Sequence, residues 1–292
     1  LTIASPDIAV AAAPAGHSWH DTLRRHPTIV AGAVLLALMA AMAILAPWLG
    51  TVDPQALSPI HRLQWPSREH WFGTDMLGRD VYSRTIYGAR VSLIVGLSVA
   101  LLSTGLGLAI GLVTGYHRRT DAVLMRIMDG LMSIPAVLIA IALMALTRAS
   151  MQNVIFAITV GQVPQVARLV RGVVLGLREL PFVEAAVASG TAPFAILSRH
   201  ILPNTLPPLF VQGTFTAASA MIVEAILSFL GVGTPPNIPS WGNIMAEGRD
   251  FFQIAYYIVL FPGIMLSITV LAMNLFGDGL RDALDPRLAQ RL

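Results

Sequence analysis

The chain contains no cysteine and no lysine; all 19 of its basic residues are arginine. Without cysteine there can be no disulfides, iron–sulfur clusters or thiolate zinc sites. Without lysine there is no Walker A lysine and no Schiff-base amine, so ATP is not bound through a P-loop of this chain's own. Charge is scarce too. Charged residues are 12% of the 292 positions, about half of the roughly 25% usual in soluble domains. Mean hydropathy is +0.70. The net charge of +3 is small and the arginines lie between apolar runs. A nucleic-acid surface would need a clustered basic stripe instead.

What is present in quantity is apolar sequence in long unbroken runs, which points to lipid. Residues 1–27 are rich in Ala and Pro, lack a helical apolar period, and read as a flexible tail. The first run, 28–49, follows Arg24, Arg25 and His26. It exceeds the roughly 7–15 residues of a signal-peptide core and reads as an uncleaved span. Further spans are expected at 91–116, 122–147, 151–167, 206–230 and 256–276. Each approaches the ~20 residues a helix needs to cross the hydrocarbon core. The expected fold is therefore an all-α membrane protein with six transmembrane helices. The domain reading is a tail (1–27), a first helix with a long extracytoplasmic loop (28–90), a five-helix core (91–281) and a C-terminal tail (282–292).

Six spans put both termini on one side, and the arginines say which. With a cytoplasmic N-terminus, 12 arginines fall inside and seven outside, most of the exceptions lying in the long first loop. The positive-inside rule thus favours cytoplasmic termini. The two halves of the chain show no strong internal repeat, so the signature of an inverted-repeat secondary transporter is missing.

Ser103, Gly107, Gly111 and Gly115 stand four apart in the second expected span. They form one helix stripe that another backbone can approach closely. Ordinary packing within the chain is the plainer reading, a subunit contact the functional one.

The most informative stretch lies at 178–205. Pro181 suits a first helical turn and Gly190 the position past a helix end. Thr191 is a plausible N-cap, with Pro193 in the next helix's opening turn. A short helix, a Gly break and a second short helix are expected on the Arg-rich side. Glu184 beside the small Ala185 and Ala186 would let the first helix insert into a partner groove; a surface amphipathic loop would read the same way.

This stretch resembles the EAA loop of bacterial ABC importer permeases. Glu184, Ala185, Ala186, Gly190, Leu202 and Pro203 match that pattern, while His200 stands where the general pattern has Ile. The Arg199-His200-Ile201-Leu202-Pro203-Asn204 ending is similar to the dipeptide/oligopeptide/nickel branch. Five further segments resemble that branch: Gly73 to Asp80, Tyr87 to Arg90, Glu224 to Gly231, Pro239 to Asn243, and Gly277 to Pro286. Together they look like a C-type permease subunit with a type I ABC importer-like fold, in the bacterial inner (plasma) membrane.

The resemblance implies a division of labour. The EAA loop would dock on a cytoplasmic ATPase subunit, either two separate ATPases or one fused. ATP and Mg would be held by those partners, and no cofactor or metal by this chain. A paralogous B-type permease would complete the pathway, and an extracytoplasmic substrate-binding protein would deliver a dipeptide or short peptide, or a nickel chelate or haem-like ligand.

Glu224 lies in an apolar run, where a carboxylate must face protein or water. With Ser228 it could line the pathway; a structural hydrogen bond to neighbours is the plainer reading. Asp129 is expected to pair with Arg126 or Arg171. Asp75 and Asp80 lack EF-hand spacing and are read as loop-structural. An intramembrane protease would need a Ser–His or Asp pair at membrane depth, but all seven His lie outside the expected spans. An ion-coupled transporter would want several deep ionisable groups, and Glu224 is the one such group.

Overall fold

The computed structural model describes residues 27–284. Within them the chain is helical, with one isolated bridge between Thr74 and Asp80. Five helices are long and apolar enough to span a membrane, or six if a bent pair counts as one. The helices are α1 (Pro27–Ile44), α2 (Val81–Tyr116), α3 (Arg118–Met132), α4 (Ala136–Ala145) and α5 (Met151–Arg178). They continue as α6 (Pro181–Ala188), α7 (Pro193–Ile196), α8 (Leu202–Phe229), α9 (Trp241–Gly248) and α10 (Tyr257–Leu284). The N-terminal tail, residues 1–26, and residues 285–292 lie outside the described residues.

Several spans differ from expectation, and paired charges explain most of the differences. The second span begins at Val81 instead of residue 91. Asp80 caps it, its Oδ2 accepting from Ser83 N and Ser83 Oγ at 2.7 Å each. Arg84 and Arg90 mark a boundary only while they are thought to be unpaired. Arg84 is bound by two carboxylates, and Arg90 donates to the Ala43 and Ile44 carbonyls at the end of α1. At 36 residues, α2 is about 54 Å long and outreaches the ~30 Å hydrocarbon core.

The third span is broken: α3 and α4 meet at 86°. Pro135 follows the break, and Ser133 Oγ donates to the Gly130 carbonyl at 2.6 Å, closing α3. The fourth span is 28 residues long, not the shortest, and ends at Arg178. Two of its three added arginines are paired across to α3: Arg171 with Asp121 (Nη2–Oδ2 2.7 Å) and Arg168 with Asp129. Asp129 therefore pairs with neither Arg126 nor Arg171, because α3 crosses α5 with Asp121 already holding Arg171.

The fifth span runs without a break from Pro193, through a π-helical turn at Leu197–Ile201, to Phe229. The expected second short helix is thus the foot of this span. The sixth extends to Leu284, beyond the expected end at residue 276. Its late glycines serve contacts. Gly279 faces Ile29 of α1 and Gly277 faces Thr214 of α8, while Gly32 of α1 faces the Phe276 backbone in return. α1 is therefore held to the bundle mainly along α10.

Candidate coupling site

Helix α6 begins at Pro181, whose missing N–H costs nothing in a first turn. It closes with Ser189, Gly190 and Thr191 amides donating to the Ala185, Val187 and Ala186 carbonyls. Gly190 has φ +74°, the left-handed conformation at which a side chain is strained, and open space surrounds it. Thr191 is not the next cap. Its amide is spent on α6, and Ala192, with no side-chain cap, precedes Pro193.

One residue anchors α6. Val183 is 1% exposed and packs with Val166, Val170 and Val174 of α5 and with Ile196, Ile201 and Leu209. The opposite surface is open: Glu184, Ala185 and Gly190 are exposed, Ala186 half-buried. Phe182 and Val187 of α6 and Phe194 of α7 are exposed apolar residues. Leu202, half-buried, and Pro203, exposed, sit at the start of α8, and His200 lies with its ring centroid 6.3 Å from that of Phe182. Such a surface, apolar with a single carboxylate and no bulk at the two alanines, suits burial against a partner.

The same three valines engage the glycine stripe. A β-carbon on Gly107, Gly111 or Gly115 would stand 2.5, 2.5 or 2.6 Å from the Cβ of Val166, Val170 or Val174 respectively. Glycine and valine alternate as hole and ridge over three successive turns, so the stripe packs within the chain. Ser103, also fully buried, continues the stripe. One face of α5 thus carries both the clamp on α2 and the seat of α6.

At the other end of the bundle, Glu224 is fully buried. Its Oε1 accepts from Ser228 Oγ at 2.8 Å and Thr234 Oγ1 at 3.3 Å. Thr234 Oγ1 also meets Ser240 Oγ and takes the Asn243 amide at 2.9 Å. Glu224 and Ser228 are therefore enclosed by the loop leading to α9 and by α9 itself, not open to a passing solute in this conformation.

A second polar cluster escaped the sequence reading. Asp75 Oδ2 accepts from Arg79 Nε (2.7 Å) and Arg84 Nη1 (2.6 Å), and both arginines reach Glu247 of α9. Asp75 Oδ1 takes the Leu77 and Arg79 amides, so it also shapes the loop. Asp75 and Asp80 hold the loop and the cap of α2 through backbone amides. The remote Glu247 gave no local signal, since its partners lie more than 160 positions away.

Residues 103–290 match the family of binding-protein-dependent transport system inner membrane components, and residues 17–66 match the N-terminal transmembrane domain of oligopeptide transport permease C. The chain belongs to this family of transport-system permeases. It is 52% identical to a probable peptide ABC transporter permease of Sinorhizobium fredii, over 92% of both chains. It is 50% identical to a putative peptide transport permease of Brucella abortus, over 91% of this chain and 90% of the relative. A probable D,D-dipeptide transport permease of Escherichia coli shares 40% identity over 91% of this chain and 89% of its own. In solved structures the permease resembles, with a TM-score of 0.56 and 23% identity, a chain of the inward-facing methionine ABC transporter MetNI. That match covers 69% of this chain and 97% of the other.

The family makes this permease a membrane transport subunit of a bacterial inner-membrane ABC importer, of the kind that works with a partner permease, an ATPase and a binding protein.

Proposed function

We propose that this permease forms half of the translocation pathway for dipeptides or short peptides, and that α6 is its coupling helix. The observation that carries the second part is the asymmetry of α6: Val183 is buried while Glu184, Ala185, Phe182 and Val187 face outward. An ATPase closing on ATP and Mg would push on this surface. Because Val183 rests on the α5 valines and these interlock with the α2 glycines, the push moves α2 and α5 as a unit. The relatives' names support the peptide part.

In this reading both termini and α6 are cytoplasmic, and the permease pairs with a paralogous B-type subunit. Two ATPases, separate or fused, dock below, and a substrate-binding protein docks on the extracytoplasmic face near α9. This chain performs no hydrolysis. The domain order follows from the same reading, with the core starting at Val81 and reaching Leu284, and the coupling segment lying between Arg178 and Pro193. The test is ATPase activity of the reconstituted complex with binding protein loaded with candidate ligands: peptide-loaded binding protein stimulates it. Stimulation by a nickel chelate or haem-like ligand alone would reject the peptide assignment.

A further inference from the structure

Two fully buried side-chain oxygens, one on α8 and one on α2, have no hydrogen-bond partner among the described residues. They are Oε2 of Glu224 and Oγ of Ser92, both on fully buried residues. Gly88, Ser92 and Gly96 stand four apart along one side of α2. A β-carbon on Gly88 would lie 3.4 Å from Trp241 N and 3.5 Å from Ser240 C; one on Gly96 would lie 2.7 Å from Met221 Cγ. Ser92 is midway, level with the turn of α8 that follows Met221, and that turn carries Glu224.

The flanks agree. On one side of the stripe Val95 and Val99 pack with Ala220 and Leu227; on the other, Leu93 and Ala100 pack with Ala217 and Met221. The face of α8 between those two sets belongs to Glu224.

The chemistry at this point suits one small polar ligand. Glu224 Oε1 is already occupied by Ser228 and Thr234, which leaves Oε2 as an open acceptor. The Ser92 hydroxyl supplies one donor and two acceptor positions. Buried polar atoms that lack a direct partner are commonly joined by an ordered water. We propose that Glu224 and Ser92 share one buried water, and that this bridge fastens α2 to α8 beneath the seat of α9. Glu224 is then a positioning residue, coupling three elements, and its role is independent of which solute is carried.

Two measurements on the assembled complex test this. A cryo-EM map fine enough to show ordered solvent is expected to hold one peak about 2.6–3.2 Å from both oxygens. Dry contact between the two side chains, or Oε2 open to a solvent-filled pathway, overturns the proposal. In thermal unfolding, Ser92→Ala and Glu224→Leu together are expected to lower Tm by less than the sum of the single shifts, and Glu224→Gln to recover most of the loss of Glu224→Leu. Additive shifts, or a glutamine variant no better than leucine, contradict it. Should Glu224→Leu not assemble, the cycle of Ser92→Ala with Glu224→Gln gives the same reading.

Discussion

Gly111 of α2 stands against Val170 of α5 so closely that a single added β-carbon would sit 2.5 Å from the valine's own Cβ. The contact lies at the centre of three such pairs, and the valine side also packs with Val183 under the coupling helix. Substitutions here therefore report on both packing and coupling.

Gly111→Val overpacks this contact and is expected to cost about 1–3 kcal/mol. It lowers both the melting temperature of the complex and its uptake rate. Val170→Gly in the same chain removes the opposing β-carbon and restores part of both. Thermal unfolding and uptake by the four combinations check this, and equal melting temperatures for Gly111→Val and wild type would show that the stripe does not hold α2 to α5.

Arg84 is 1% exposed and meets both Asp75 and Glu247. Arg84→Met leaves Asp75, itself 1% exposed, with Arg79 alone, and takes from Glu247 the more buried of its two arginines. Breaking such a pair costs about 3–5 kcal/mol. The expected result is a large loss of assembled complex on size-exclusion chromatography. Arg171→Gln removes a more exposed pair with Asp121 and is expected to cost no more than about 1 kcal/mol. A reversed order of severity would contradict the burial argument.

Val183→Asp places a charge where α6 meets the α5 valines. The helix loses its one fully buried residue while the five long spans keep theirs. Membrane insertion is expected to be unchanged, and limited proteolysis to cleave between α5 and α8 faster than in wild type. An unchanged cleavage rate would mean that α6 is held by something other than Val183.

The parts legible in the sequence were those set by local rules. Pro181 and Gly190 bounded α6 correctly, because a proline at a first turn and a glycine at positive φ need only their own neighbours. The four-residue spacing of Gly107, Gly111 and Gly115 announced close packing, though not the valines that fill it. What failed depended on distant partners. Arg90 stood at the expected limit of a span until the end of α1 came to meet it, and Arg84, further out, is met by Glu247. Helix α9 was missed altogether: eight residues are too few for a clear period, and its place is fixed by Trp241, whose indole donates to the Thr85 carbonyl at 3.0 Å. Glu224 was recognised as needing a partner; Ser228 lies one turn on in the same helix, while Thr234 comes from the loop that follows.

The central claim is that α6 transmits ATPase closure to the bundle, and the most direct measurement is ATP-driven uptake into proteoliposomes by complexes carrying Glu184→Arg or Gly190→Leu. The first reverses charge on the exposed face; the second strains a residue at φ +74° without meeting any neighbour. Both variants are expected to insert, with uptake falling to background while the ATPase subunits alone still hydrolyse ATP. Uptake at the wild-type rate in either variant would contradict the account.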